Sequence, residues 1–338
     1  MYNLFFEKPM IPLPNLRFRT FLGEVDYSLI TAIINGCKVA DGLNHSTTLE
    51  DVRGTYTHLV NSDPARDMLF AEIEGRAVGY TRVWWQMDGD GNWLGFSVGY
   101  VLPEYRRRGI GRTLLDFAET RLMEISTRLI DTGQLPPSTL RFYDNSVSDK
   151  EIAKESLLKH AGYQPIRYGF EMVRPDLENI PDLPLPEGLE VRPVLPEHYH
   201  PIFDASNEAF RDHWGYIPEP EEIFQKMLVD PHFDPSLWHV AWDGDQIAGM
   251  VLSFINQAEN DEFNRKRGYT ENISVLRPWR KQGLAKALIA LSLKALKEQG
   301  MDHAALGVDA ENISGATHLY ERMGFRVVGR GTIYRKMI

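Results

Sequence analysis

The sequence predicts two copies of one α+β unit, on three observations. Arg106-Arg107-Arg108-Gly109-Ile110-Gly111 is answered in the second half of the 338-residue chain by Arg280-Lys281-Gln282-Gly283-Leu284-Ala285. Each of these turns lies between an apolar strand and an apolar-faced helix, with a hairpin pattern upstream. Each half then closes with a helix running into Gly162-Tyr163 or Gly324-Phe325 and a short final strand. Self-similarity on this scale marks a duplicated domain, and the length suffices for two separate cores.

In chain order, Leu16-Arg17-Phe18-Arg19 with Leu22 and Glu24 opens the first copy, and Leu189-Glu190-Val191-Arg192 with Leu195 and Glu197 opens the second. The hairpins follow: Leu69 to Gly75 then Ala77-Val78-Gly79, against Trp238 to Gly244 then Ile247-Ala248-Gly249. The fourth strands end in Val98-Gly99-Tyr100-Val101 and Ile273-Ser274-Val275. Beyond the turns, apolar residues recur at helical spacing, as Leu114, Leu115, Ala118, Leu122 and Ile125 and as Leu284, Ala287, Leu288, Leu291 and Ala295. A strand, a turn of small residues and a helix start expose unpaired amides where the helix dipole is positive, so the ligand should carry phosphate. A Rossmann site fits poorly, because Leu114 and Leu288 replace its third glycine and the sheets read as hairpins. The prolines between Pro175 and Gly188 favour an extended connector. This divides the chain into a first domain over 1–174, a linker over 175–187 and a second domain over 188–338.

One cysteine, Cys37, leaves no internal disulfide and no cysteine-rich metal site. His198 and His200 have no companion acid at metal spacing, so no metal is expected. With no apolar run of membrane length and no basic-then-apolar start, the expectation is a cytoplasmic protein without a membrane partner. The formal charge of −10 argues against nucleic acid and favours a cationic substrate.

Both halves resemble GNAT-superfamily (Gcn5-related) N-acetyltransferases, and the whole chain resembles a tandem GNAT protein. The resemblance rests on the Arg-x-x-Gly-x-Gly/Ala turns, the frames Val101-Leu102-Pro103-Glu104-Tyr105-Arg106 and Val275-Leu276-Arg277-Pro278-Trp279-Arg280, and Leu306-Gly307-Val308-Asp309-Ala310-Glu311-Asn312 with Ala316, Leu319, Tyr320 and Gly324-Phe325. It implies a mixed, mostly antiparallel sheet flanked by helices in each half. It also implies acetyl-CoA as co-substrate, its pyrophosphate wrapped by the amides of Arg106, Arg107, Arg108, Gly109, Ile110 and Gly111, or of Arg280, Lys281, Gln282, Gly283, Leu284 and Ala285. Val275 would end the bulged strand beside the cofactor, Asn312 would bond the pantetheine arm or its neighbouring backbone, and Tyr320 would stand near the thioester sulfur. A departing thiolate benefits from an O–H donor there, though the ring of Tyr320 would also fit as packing beneath the cofactor.

The amine must be neutral to attack, so a base is needed. Glu271 is the candidate: it opens the fourth strand of the second half and, by two-residue alternation, shares a face with Ile273 and Val275. Glu259, Asp261 and Glu262 in the preceding hairpin compete for the role or merely solvate the loop. The first half departs from the pattern. Counting back from its Gly-aromatic pair, Leu158 occupies the place of Tyr320 and Lys150 that of Asn312, with Asn145 displaced by an apparent insertion and Ser97 standing where the second half has Glu271. The first half is therefore expected to be catalytically degenerate, binding CoA without turnover or serving as scaffold. Its Trp84, Trp85 and Trp93 would line a pocket or pack the sheet. By the same resemblance Trp214 and Tyr216 fall where the family's substrate-side loop lies, as substrate contacts or as core.

The function expected is direct acetyl transfer from acetyl-CoA to a primary amine of a small molecule or peptide. The alternatives are a mycothiol-synthase-like acyltransferase and a non-catalytic acyl-CoA-binding regulatory module.

Overall fold

A computed structural model describes residues 14–311 and 315–338. The first half runs β1 (Leu16–Arg19), α1 (Tyr27–Asp41), α2 (Leu49–Thr57), α3 (Pro64–Asp67), β2 (Met68–Ile73), β3 (Arg76–Met87), β4 (Trp93–Val101), α4 (Ile110–Asp131), β5 (Arg141–Ser148), α5 (Ile152–His160) and β6 (Gln164–Arg174). The second runs β7 (Glu190–Val191), α6 (Tyr199–Phe210), α7 (Glu221–Leu228), β8 (Trp238–Asp243), β9 (Gln246–Phe254), α8 (Gln257–Glu262), β10 (Arg267–Val275), α9 (Leu284–Glu298), β11 (His303–Asp309), α10 (Ala316–Arg322) and β12 (Arg326–Met337), the same strand order with α8 placed between β9 and β10 instead of a third helix before the hairpin. Each half is thus a mixed sheet flanked by helices. Among the described residues only the β4–β5 and β10–β11 pairs are parallel.

The apolar stripes place the two long helices. α4 buries Leu114, Leu115, Ala118, Leu122 and Ile125 as the spacing predicts. α9 buries Leu284, Ala287 and Leu288, but Leu293 and Leu296 complete its buried face, while Leu291 and Ala295 are half-exposed. Each buried leucine contributes roughly 2 kcal/mol of transfer free energy.

Among the described residues the two sheets fuse into one of twelve strands in the order β1-β2-β3-β4-β5-β12-β6-β11-β10-β9-β8-β7. The final strands are exchanged. β12, from the end of the second half, pairs with β5 of the first, and β6 pairs with β11 of the second; the two also pair with each other. They are 11 and 12 residues long rather than short, because each must span two neighbours in the middle of the sheet. The exchange reaches the cores: Tyr334 of β12 packs with Leu122, Trp93 and Tyr163 of the first half, and Met172 of β6 with Leu288 and Phe325 of the second.

The halves also clasp each other reciprocally. Lys38 at the end of α1 donates to Glu262 of α8 at 2.6 Å, Ser46 donates to the same carboxylate at 2.5 Å, and Arg265 donates to Asn44 O at 3.0 Å. In the mirror position, the loop after α6 meets the β3–β4 hairpin, where Gly89 N donates to Tyr216 O at 2.8 Å.

Candidate active site

Both turns adopt the same backbone. Arg107 and Lys281 each have φ of 62°, and Gly109 and Gly283 follow at 86° and 91° before α4 and α9 begin. Alternating left-handed residues curl successive amides into a concave nest, and the first turn of each helix adds its own unpaired N–H groups. A Cβ at Gly283 would meet nothing within 4 Å, so its glycine answers the positive φ and the approach of an anion rather than internal packing. Arg107, Arg108, Lys281 and Gln282 are exposed around the nests.

The side chains of Arg106 and Arg280 turn inward instead. Arg106 Nε donates to Val101 O at 2.8 Å and its two terminal nitrogens grip Asp41 at 2.6 and 2.7 Å. Arg280 repeats this with Val275 O at 2.9 Å, Asp212 at 2.8 Å and Ala209 O at 3.1 Å. Hydrogen bonds from Arg277 and then Arg280 hold Asp212 below the usual carboxylate range. These arginines are braces that fix strand end, turn and the first helix of each half, and the nest offers an anion their backbone, not their guanidinium groups.

Beside each nest the sheet opens into a V. β4 and β5 pair only from Trp93 to Phe96, and β10 and β11 only from Arg267 to Tyr269. Beyond these points the parallel pairing stops. At the fork of the second V, Glu271 Oε1 accepts from Gly307 N at 3.2 Å. Burial raises the Glu271 pKa to about 7, with the Gly307 amide opposing. Tyr320 on α10 is buried, packs edge-on against Phe325, and is raised above its ordinary pKa by burial and then by the Glu271 charge. Glu271 therefore lies at the fork of the second V, and its charge is felt at the buried Tyr320 phenol. Asn312 lies outside the described residues.

Two expectations about Glu271 and its counterpart change. A bulge inserts one residue between Glu271 and Ser274, with Asn272 at φ 49°. Alternation resets across it, so Glu271 is out of phase with Val275 and in phase with Ser274. The first half has no insertion between its fifth strand and α5. Arg141 and His303 begin equivalent pairings, and from them the halves match residue for residue to Tyr163 and Phe325, which sets Asn145 opposite Gly307.

The competing carboxylates are engaged elsewhere. Glu259 is buried against Arg265 and Tyr269, Glu262 closes the clasp with Lys38, and Asp261 accepts from Gln257 at 2.7 Å. Trp84 stacks on Phe96 and Trp85 on Trp93, which is sheet packing.

In the first half a cavity of about 380 Å³ lies between nest and fork, lined among others by Gly109, Gly111, Tyr100, Ser97, Asn145 and Lys154. Asn145 Nδ2 donates to Ser97 Oγ at 2.7 Å, the neutral equivalent of the Glu271–Gly307 contact. Sequence reasoning missed Arg167. It lies on exchanged strand β6, yet grips Asp309 at 3.0 and 2.7 Å and Glu311 at 2.9 Å beside the second cleft, with its guanidinium over Trp214. Nothing local in the sequence signals a residue that crosses between halves. Among the described residues no group of three or more metal-ligating side chains converges, and no helix is long and apolar enough to cross a membrane.

The acetyltransferase (GNAT) family profile matches the chain twice, over residues 38–143 and 199–325. The mycothiol acetyltransferase of Geodermatophilus obscurus is 27% identical over 94% of this chain and 96% of its own length. That of Salinispora tropica is 31% identical over 67% of each. A GCN5-related N-acetyltransferase from Sphaerobacter thermophilus superimposes with a TM-score of 0.71 at 25% identity, covering 96% of both chains. A tandem GNAT protein from the clavulanic acid biosynthesis pathway shares the fold, with a TM-score of 0.67 at 15% identity over 95% of this chain and 98% of its own.

Proposed function

The chain belongs to the acetyltransferase (GNAT) family and is an N-acetyltransferase; from that premise we propose that the second half carries the catalytic site, with Glu271 as base and Tyr320 as acid. What supports this reading is that Glu271, hydrogen-bonded to Gly307 at the fork of the second V, is tuned by burial to about 7, and that its charge adds to burial in raising the Tyr320 phenol and keeping it protonated. Residues 1–174 and 188–338 are read as the two functional units despite the shared sheet.

The residues present fit acetyl-CoA, whose family role is to supply an activated acetyl thioester. The Lys281–Ala285 nest would hold the diphosphate by its amides, with Lys281 adding charge, and the V between β10 and β11 would take the pantetheine arm. The first nest, Arg106 to Gly111, would hold a second CoA in the same way. Deprotonated Glu271 withdraws a proton from the acceptor ammonium, directly or through water, and frees the nitrogen lone pair. The Tyr320 hydroxyl donates toward the sulfur as the C–S bond breaks, then recovers its proton from solvent. Direct transfer needs no protein nucleophile, and Cys37 is buried in the first half with its thiol pushed up to about 11 by burial.

The acceptor is a primary amine on a small molecule in the cytoplasm. The relatives' name puts mycothiol-type amines first, which favours this reading over a peptide substrate. The test is steady-state acetyl transfer from acetyl-CoA to mycothiol-type amines, aminoglycosides, polyamines and peptide N-termini. Turnover confined to peptides would sink the small-molecule reading; no turnover with any amine, with CoA bound in the second half, would sink the catalytic one.

A further inference from the structure

The first cleft contains a lysine at a position where the second half has an alanine. Counted back from Gly162 and Gly324, Lys154 of α5 stands where α10 has Ala316. Lys154 Nζ donates to Ser146 O at 2.7 Å, one residue along β5 from Asn145 at the fork. Its nearest carboxylate, Glu151, is 4.0 Å away, too long for a tight ion pair. Among the residues lining the 380 Å³ cavity it is the one primary amine. Desolvation moves its pKa below the ordinary lysine value, with Glu151 opposing, so more of it is neutral at a given pH.

A second observation points to a ligand in this cavity. Asn145 is 6% exposed, and while its Nδ2 is bonded to Ser97, its Oδ1 is buried without a partner among the described residues. A buried carbonyl oxygen left bare costs on the order of 1–3 kcal/mol, and it requires a donor from whatever occupies the cavity. An amide N–H of a pantetheine chain running from the Gly109–Gly111 nest toward the fork supplies one.

We propose that the first cleft acylates its own lysine, so that an acyl-CoA held on the Gly109–Gly111 turn passes its acyl group to Lys154 Nζ. The nitrogen lone pair forms an amide bond to the thioester carbonyl carbon, the carbon–sulfur bond breaks, and the thiolate takes the proton the amine sheds. One acyl-lysine and one CoA thiol result, and no further reactant is needed. This rests on the reading that the first nest binds CoA.

The experiment uses the full chain with acetyl-CoA, followed by intact mass, peptide mapping and calorimetric CoA stoichiometry. One acetyl group should accumulate at Lys154, faster than at the exposed Lys150 and Lys159 by roughly tenfold or more. Lys154→Arg should lose that label. Gly109→Asp, if folded by circular dichroism, should slow it by a similar factor, whereas Gly283→Asp should leave it in place. Equal labelling of Lys150 and Lys159, or undiminished labelling in folded Gly109→Asp, would mean unassisted surface chemistry and overturn the proposal. Two CoA bound per chain with Lys154 unlabelled would overturn it while leaving the CoA reading intact; no CoA in the first half would remove both.

Discussion

Glu271 reaches across the second cleft to take a hydrogen bond from the Gly307 amide at 3.2 Å. Residue for residue, the same crossing in the first cleft joins Asn145 to Ser97. One fork therefore holds a group that titrates near neutrality and the other a pair that does not titrate at all. Duplication preserved the geometry and let the chemistry diverge.

Glu271 acts as a base only when ionised, so kcat/KM should rise as pH increases through about 7. Glu271→Gln should remove that rise and lower the rate by about ten- to a hundredfold above pH 7. Stability responds with the opposite sense. A carboxyl whose folded pKa exceeds its unfolded value favours folding while protonated, and that contribution is lost between about pH 4.5 and 7. Glu271→Gln should thus gain on the order of 1–2 kcal/mol over the parent at pH 8 and little at pH 4. Denaturant titrations at both values check it; equal differences at the two would exclude a buried, titrating Glu271.

Tyr320→Phe should reduce kcat at least about tenfold while CoA affinity stays close to that of the parent, since the lost interaction forms mainly in the transition state. Single-turnover rates isolate the chemical step. An unchanged rate would leave Tyr320 only its packing against Phe325.

Gly283→Asp should abolish acetyl transfer. The open space around its Cβ rules out an internal clash, but φ of 91° strains any side chain by roughly 1 kcal/mol and the carboxylate would face the bound diphosphate. Gly109→Asp should remove one of two CoA equivalents measured by calorimetry. If Gly283→Asp still turns over and folded Gly109→Asp does not, the catalytic half has been misassigned.

Neither half expressed alone should yield a stable monomer. Residues 1–174 lack β12, which fills the place beside β5 and contributes Tyr334 to the core, and residues 188–338 lack β6 and Met172. Co-expression of the two should restore a soluble complex with activity, read by size-exclusion chromatography. A well-folded isolated half would show that its own last strand can return to its own sheet.

The repeat, the nests and the long helices were legible because they depend on local spacing: apolar period, turn glycines and strand-to-helix junctions are written in adjacent residues. The fork residues were legible in part. Glu271 and Tyr320 stand out in the linear sequence, but the bulge that shifts the alternation after Glu271 depends on pairing with Leu252 and Met250, partners the linear pattern does not reveal. Asn145 was set out of register because Asn312 drew the alignment to itself, whereas the sheet register equates Asn145 with Gly307. Arg167 and the strand exchange were invisible, since the same alternating strand satisfies either sheet and only three-dimensional competition chooses between them.

The exchange sets an order of events during synthesis. Arg335 completes its paired grip on Asp144 across 191 residues of chain, so the first half leaves the ribosome long before the strand that finishes it exists. Until then the free edge of β5 is an unpaired row of amides and carbonyls, open to a neighbouring nascent chain. Closing such a distant contact is entropically slow. Folding yield in the cell should therefore depend on what shields that edge while translation runs to the end of the message.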